Sequence, residues 1–293
     1  MKPPKKFGVW GNIEKENFWK TLPEILSWSK EKKIDVYLTE RIKSSNRNTF
    51  ESSLVINSNE DIGNLDFMLA LGGDGTFLSS ARAVENRNIP ILGIHLGDLG
   101  FLAKVNLDDL FQRLDQVADG MYVIEKRSMI RAIINKNGLS KYHTALNDFV
   151  VKNNELNRML SFTVYVDGHL VCNYKADGLI IATPTGSTAY SLSSGGPIIS
   201  PDVDSFVVTP ISPHSLTSRP LVVSANSKID ITFPDETDDM MFTVDGQLHE
   251  KLNPSNEIKI KRATYEINLI DFIDNDYFET LRTKMGWGKR GDH

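Results

Sequence analysis

One cysteine, Cys172, stands in a chain of 293 residues. A single thiol excludes an intrachain disulfide framework and any zinc cage built on cysteine. It suits a reducing compartment. Long apolar runs are missing as well. The longest, such as residues 67–71 and 178–182, span a handful of positions, whereas a membrane helix needs about 18 or more. The basic opening Met1-Lys-Pro-Pro-Lys-Lys6 leads into only Phe7-Gly-Val-Trp10, too short for a signal-peptide core. A cytoplasmic protein with no membrane attachment is expected. Positive charge is in deficit: 33 Lys and Arg against 38 Asp and Glu give a net charge of −5. That balance argues against holding nucleic acid by bulk electrostatics. The six histidines are scattered, without metal-ligand spacing. Repeats and low-complexity tracts are absent, and residues 44–49 form a polar loop.

What is present is ordinary globular composition, 40% hydrophobic and 24% charged. At ~150 residues per domain the length predicts two, each able to bury a core. The first part alternates strand and helix. Residues 6–11, 34–38, 65–71 and 89–94 read as short buried strands. Residues 14–30, 76–85 and 107–118 carry helical spacing, with Pro23 a candidate kink. Such alternation predicts a parallel α/β sheet. Near Tyr122 the character changes. Residues 162–166 meet 170–173 through Asp167-Gly168, and 242–244 meet Leu248 through Asp245-Gly246; both are hairpin signals. Residues 142–146, 149–152, 221–224, 229–233 and 257–261 add strands. An antiparallel β-sandwich is expected there. Residues 278–285 read as a helix stopped by Gly286.

Three clusters carry chemistry. Leu71-Gly-Gly-Asp-Gly-Thr76 follows a buried strand and opens a helix. Glycines let a ligand approach the backbone, and a helix N-terminus favours phosphate. Gly72, Gly73, Gly75 and Thr76 would form that phosphate loop. No Gly-Lys-Ser/Thr follows, so it is not a Walker A loop. Asp74 is out of place in a pure phosphate cradle. It reads as a general base, a magnesium ligand or a helix cap. The second cluster is Gly93-Ile-His-Leu-Gly-Asp-Leu-Gly-Phe-Leu102. Loops at the carboxyl ends of parallel strands line ligand crevices. Phe101 would stack on a base or close the crevice, and His95 reads as a structural histidine. The third runs from Asp177 through Thr-Pro-Thr-Gly-Ser-Thr-Ala-Tyr-Ser-Leu-Ser to Pro197. Its hydroxyls offer donors and acceptors at short range. Ser187 lies in no Gly-x-Ser-x-Gly elbow, which argues against a hydrolase. Asn147-Asp148 between two strands could bridge a sugar diol or mark a turn. Arg158 and Lys175 could pair with phosphate.

Together the clusters resemble the NAD kinases of the ATP-dependent, bacterial type. Four blocks fall in the right order: Gly72–Thr76, Asn147-Asp148, 177–193, and Thr209-Pro-Ile-Ser-Pro-His-Ser-Leu-Thr-Ser-Arg-Pro220. The first block alone is shared with lipid kinases; the last two together are specific. The resemblance implies phosphorylation of the 2′-hydroxyl of the adenosine ribose of NAD, using ATP and a divalent metal, magnesium, to give NADP. It implies an α/β domain, residues 1–121 with a returning C-terminal segment 266–293, and a β-sandwich NAD-binding domain, residues 122–265. Asp74 would be the proton acceptor and Gly75 a ligand contact. Asn147 and Asp148 would bind ribose, and Asp177 a base amide or amino group. Thr188, Ala189, Tyr190, Ser193 and Gln247 would hold nucleotide, with Lys175 and Arg158 beside them. No metal ligand is assigned beyond Asp74. The family pattern is often Asn-Glu, and here Asp148 replaces the Glu. A homo-oligomer, a tetramer, is expected. The rival readings are a lipid kinase, opposed by the polar 183–194 loop, and an idle NAD-binding sensor, opposed by the retained Asp74.

Overall fold

The computed structural model describes residues 3–45, 53–97, 99–136, 139–153, 159–234, 240–253 and 255–287. Residues 46–49 of the polar loop and the candidate Arg158 lie outside the described residues. The chain divides into two units, Met1–Lys126 with Ile267–His293, and Arg127–Glu266.

The first unit opens with β1 (Lys6–Gly11), α1 (Glu16–Lys32), β2 (Asp35–Thr39), α2 (Glu40–Lys43), β3 (Leu54–Ile56) and α3 (Asn59–Gly63). It continues through β4 (Phe67–Gly72), α4 (Asp74–Val84), β5 (Ile91–His95) and α5 (Leu110–Ala118). The strands pair in parallel in the order β5-β4-β1-β2-β3. Strands β4 and β5 are buried at every position, which is why they read as continuous apolar runs rather than alternating ones. Helix α1 runs through Pro23 and buries Phe18, Trp19, Leu22, Ile25 and Trp28. From β1 the chain builds outward through β2 and β3, then returns to place β4 on the other side of β1. That reversal leaves a crevice beyond the carboxyl ends of β1 and β4, and the Gly72-Gly73-Asp74 turn sits at it.

The second unit begins within β6 (Val123–Lys136), at Arg127, and holds β7 (Leu139–Ala145), β8 (Asp148–Asn153), β9 (Leu160–Val166), β10 (His169–Ala176) and β11 (Gly178–Ala182). A one-turn helix α6 (Tyr190–Ser193) precedes β12 (Ser205–Ile211), β13 (Leu221–Ser224), β14 (Ile229–Thr232), β15 (Met240–Val244), β16 (Leu248–Leu252) and β17 (Glu257–Asp271). One sheet has the order β13-β12-β11-β8-β15-β16; in the other, β10, β9, β14 and β17 follow one another, with β6 pairing β17 and β7. Both sheets contribute to one core. Phe149, Val151, Leu179, Ile181, Phe206 and Phe242 from the first meet Ile130, Phe162, Val164, Ile231 and Ile258 from the second. The expected sandwich is therefore present. The first sheet is also covered on its outer face, where Val150, Ile180, Ala182 and Val207 pack with Ile199 and Tyr190. Both Asp-Gly hairpins have positive φ at both residues, +50° and +79° at Asp167-Gly168 and +50° and +65° at Asp245-Gly246. Left-handed backbone of this kind matches the strand twist and favours Asp-Gly.

The end of β17 belongs to the first unit, where Leu269 pairs in parallel with Ile91 of β5. Helix α7 (Tyr277–Met285) follows. It is capped by the Asp276 side chain, which accepts the Phe278 N–H at 2.8 Å, and closed by Gly286 at φ +67°.

Candidate active site

In the first unit, Asp74 begins α4 directly after the turn. Its carboxylate is held by three consecutive backbone donors. The Phe101 N–H donates to Oδ2 at 2.9 Å, and the Leu102 and Ala103 N–H groups donate to Oδ1 at 3.0 Å each. A carboxylate offers about four acceptor positions, so among the described residues one on Oδ2 stays open. Two glycines make the close fit. A Cβ at Gly100 would lie 1.9 Å from Asp74 Oδ1, and one at Gly72 would lie 2.0 Å from Thr76 Oγ1. Gly73 has ordinary extended backbone, and a Cβ there would meet nothing within 4 Å. The space beside it is free for a ligand. Gly75 is exposed beside it. Phe101 is half-buried, its ring centroid 6.4 Å from that of Tyr277, with Lys284 Nζ 5.2 Å over it. His95 is buried, with Nδ1 2.6 Å from the Gly97 carbonyl oxygen, in keeping with a structural histidine.

In the second unit, strand pairing brings distant segments together. Ala182 at the end of β11 lies opposite Asp148 at the start of β8, and Val244 at the end of β15 lies opposite Phe149. The loop after β11, the Asn147-Asp148 corner and the Asp245-Gly246 turn therefore meet at one sheet end. They line a cavity of about 500 Å³ with Val150, Lys152, Tyr190, Ala189, Thr243 and His249 among its walls. That volume lies within the range of small-molecule sites. Most hydroxyls of the third cluster are used within the protein, fixing the loop and tying it to its neighbours. Thr183 Oγ1 donates to the Leu146 carbonyl at 2.5 Å, Ser187 Oγ to the Pro184 carbonyl at 2.6 Å, and Ser191 pairs with Thr209 at 2.9 Å. A Cβ at Gly186 would lie 2.1 Å from the Asn147 carbonyl oxygen, so the loop packs directly on the corner's backbone.

Asp148 is buried, and burial pushes its carboxyl up to about 7, with the nearby charge of Asp245 adding to the rise. The sequence alone reads Asp148 as an ionised acceptor; its surroundings make it titrate near neutrality.

Residues 7–122 match the family of the ATP-NAD kinase N-terminal domain, and residues 146–272 that of the ATP-NAD kinase C-terminal domain. The chain belongs to the NAD kinase family. The NAD kinase of Geobacter metallireducens is 38% identical over 288 residues, covering 98% of this chain and all of that protein. That of Geotalea daltonii is 43% identical over 226 residues, 77% of this chain and 80% of that protein. Among solved structures, a yeast NADH kinase complexed with NADH aligns with a TM-score of 0.90 at 24% identity, over 99% of this chain and 90% of the other. An NAD kinase from Archaeoglobus fulgidus in complex with ATP aligns with a TM-score of 0.74 at 24% identity, over 96% and 98%. At that identity these two bear on the fold alone.

The residues named from the sequence of this NAD kinase family member fall into distinct places. Gly72, Gly73, Asp74, Gly75 and Thr76 form one turn, with Phe101 in the segment that clasps Asp74. Asn147, Asp148, Ala189 and Tyr190 share the cavity. Thr188 is half-buried before them, its Oγ1 donating to the Thr185 carbonyl at 3.2 Å. Gln247 closes the Asp245-Gly246 turn, its N–H donating to the Val244 carbonyl at 2.9 Å. Ser193 is exposed at the end of α6. Lys175 and Asp177 are exposed near the other end of β11 and do not line the cavity. Four β11 steps separate the two ends, about 13 Å at strand rise. Sequence reasoning passed over Asp245, Lys152 and His249. Asp245 was visible only as a turn residue, because the pairing that brings β15 beside β8 leaves no local signal.

Proposed function

We propose that this protein transfers a phosphoryl group from ATP to the 2′-hydroxyl of the adenosine ribose of NAD, with Asp74 as general base. The observation that carries this reading is the Asp74 carboxylate, oriented by three N–H donors with one acceptor position open, in a chain of the NAD kinase family. A ribose hydroxyl is a weak nucleophile, and phosphoryl transfer depends on positioning and charge neutralisation with a base in reach. The three donors fix the carboxylate so that its open Oδ2 position can take the hydroxyl proton. Gly72, Gly73, Gly75 and Thr76 present backbone to phosphate.

The unit Arg127–Glu266 is the NAD-binding domain in this proposal. Asn147 and Asp148 hold ribose, and Ala189, Tyr190 and Thr188 flank the nucleotide, with Ser193 and Gln247 at its margin. An extended dinucleotide lying along β8 and β11 would reach Asp177, whose carboxylate reads a base amino or amide group. Lys175 and Arg158 are proposed phosphate partners, and Phe101 a base contact.

The divalent cation is taken to be magnesium. Among the described residues no group of three or more His, Cys, Asp or Glu converges as a metal cage. Magnesium is commonly held by one or two carboxylates plus substrate phosphates; with the single open position of Asp74 given to the hydroxyl proton, the ion would be held mainly by the ATP phosphates and water, close enough to Asp74 to feel its charge. When bound, the ion would neutralise phosphate charge. We also place the protein in the cytoplasm, as a homotetramer; no described helix is long and apolar enough to cross a membrane.

Incubation with NAD, ATP and magnesium, with NADP read by glucose-6-phosphate dehydrogenase, tests the reading. NADP should accumulate with protein and time. Binding of NAD without NADP formation would leave the sensor reading in its place.

A further inference from the structure

We propose that Asp245 is a positioning residue for the nucleotide: its carboxylate seats the Leu146–Asp148 backbone, and it lines the same cavity as Asp148. Three consecutive N–H groups converge on it. Asn147 donates to Oδ1 at 2.7 Å, Asp148 to Oδ1 at 3.3 Å and Leu146 to Oδ2 at 3.2 Å. The contact runs both ways, because the Asp245 N–H donates to the Asp148 carbonyl at 3.0 Å. The corner and the β15–β16 turn are thus one clasped unit.

An Asp-Gly hairpin needs no function to explain it, and the chain supplies its own comparison. Asp167-Gly168 has the same turn and the same positive φ. There the aspartate is exposed and its carboxylate accepts the Lys228 N–H at 2.8 Å. Asp245 is only 8% exposed and lines the cavity. Turn geometry accounts for Asp167; it does not account for burying a second carboxylate beside Asp148. Among the described residues, the charged and titratable groups around this cavity are Asp148, Asp245, Lys152, Tyr190 and His249. Lys152 is turned to the Tyr190 ring, with Nζ 4.3 Å from its centroid. Strand β11 contributes only Ala182 opposite Asp148. Two carboxylates so close cannot both ionise freely. The Asp245 carboxylate accepts three N–H groups, and its charge adds to burial in holding the Asp148 proton to about 7. A ribose diol is best held by an ionised carboxylate, which accepts two hydroxyls at once. Asp245 therefore fixes where Asp148 stands and, added to burial, raises the pH at which it binds.

This inference rests on Asp148 as the ribose ligand, and two readouts separate the two claims. The first is KM for NAD against pH. In the wild type it should fall as pH rises through about 7. In Asp245→Asn, which keeps an acceptor and tolerates the left-handed backbone, the midpoint should move about one pH unit lower. In Asp148→Asn the profile should flatten, and Asp167→Asn should match the wild type. The second is the pH dependence of thermal unfolding without substrate, which reads Asp148 directly. If Asp245→Asn shifts that dependence while wild-type KM is flat with pH, the coupling stands and the ribose role of Asp148 falls. If Asp245→Asn leaves both dependences unmoved, the proposal is overturned. Asp245→Ser, which keeps one acceptor without charge, gives the same comparison should Asp245→Asn not fold.

Discussion

Asp74 holds three donors with two oxygens, so replacing one oxygen tests its chemistry while most of its contacts remain. In Asp74→Asn, the amide oxygen can keep the Leu102 and Ala103 N–H groups, but the carboxylate base is gone. Loss of a general base lowers rate by about 10²–10⁴-fold. We expect that loss in kcat, with NAD affinity by calorimetry little changed; near-normal turnover would remove Asp74 from the mechanism. Gly100→Ala approaches the same carboxylate from outside. The added methyl would overlap Oδ1, and Asp74 must swing off its donors. A misplacement of about 1 Å can cost roughly 100-fold in rate, so kcat should fall by that order while the far-ultraviolet circular dichroism stays native. Asp148→Ala should instead raise KM for NAD by roughly tenfold to a hundredfold, with kcat and KM for ATP nearly unchanged, because the diol does not change charge in the reaction. Asp148 also links folding to pH. Its carboxyl rises from 3.8 to about 7 on folding, chiefly through burial and then through Asp245. The stability it contributes is complete below the unfolded value and is lost as pH climbs through 7, roughly 4 kcal/mol over that window. Denaturant unfolding of Asp148→Asn across pH 4 to 8 should lack this component. The glycine blocks that carry Asp74 were legible because their residue types are rare together. The clasp on Asp74 was not, because backbone N–H groups are the same in every sequence.

The segment that clasps Asp74 is itself anchored by the returning end of the chain. Lys104 Nζ donates to Asp271 Oδ2 at 2.5 Å and to Glu125 Oε2 at 2.8 Å. Arg113 binds both carboxylate oxygens of Asp274 at 2.8 Å, and α7 places Tyr277 and Lys284 around Phe101. Burial alone would raise the Asp271 carboxyl, but the Lys104 charge and hydrogen bonds hold it below the usual range. Lys104→Met leaves that shielded carboxylate without its cation, held among the described residues only by the Phe272 N–H and the Asn275 amide. It should destabilise the protein by about 3 kcal/mol, read by denaturant unfolding, and lower kcat more than it raises KM. Elements with one clear period were legible: fully apolar runs gave β4 and β5, and Asp-Gly turns gave two hairpins. Three strands were not. Strand β3 has only three residues, too few to show a period. In β6, charged and apolar residues do not alternate cleanly, and Arg127 is buried within it. In β12, Pro210 argues against a central strand. It is tolerated because β13 pairs only with Ser205–Val208, so Pro210 lies past the end of that ladder.

At the scale of the whole molecule, β-sheet edges and chemistry make separate demands. Strand β13 is an edge, with Leu221 and Val222 partly exposed, and an open edge of this kind invites pairing with another chain. We expect light scattering at micromolar concentration to give four times the 32.9 kDa chain mass; a monomer mass would contradict the tetramer. The division of labour proposed for the two units, with base and phosphate loop in one and NAD-binding cavity in the other, makes one commitment above the rest: where the phosphate lands. The direct test is phosphorus NMR of the product formed from NAD, ATP and magnesium. We expect a single new phosphomonoester on the 2′ oxygen of the adenosine ribose, together with ADP. A phosphate on any other hydroxyl, or ADP formed with NAD unmodified, would contradict it.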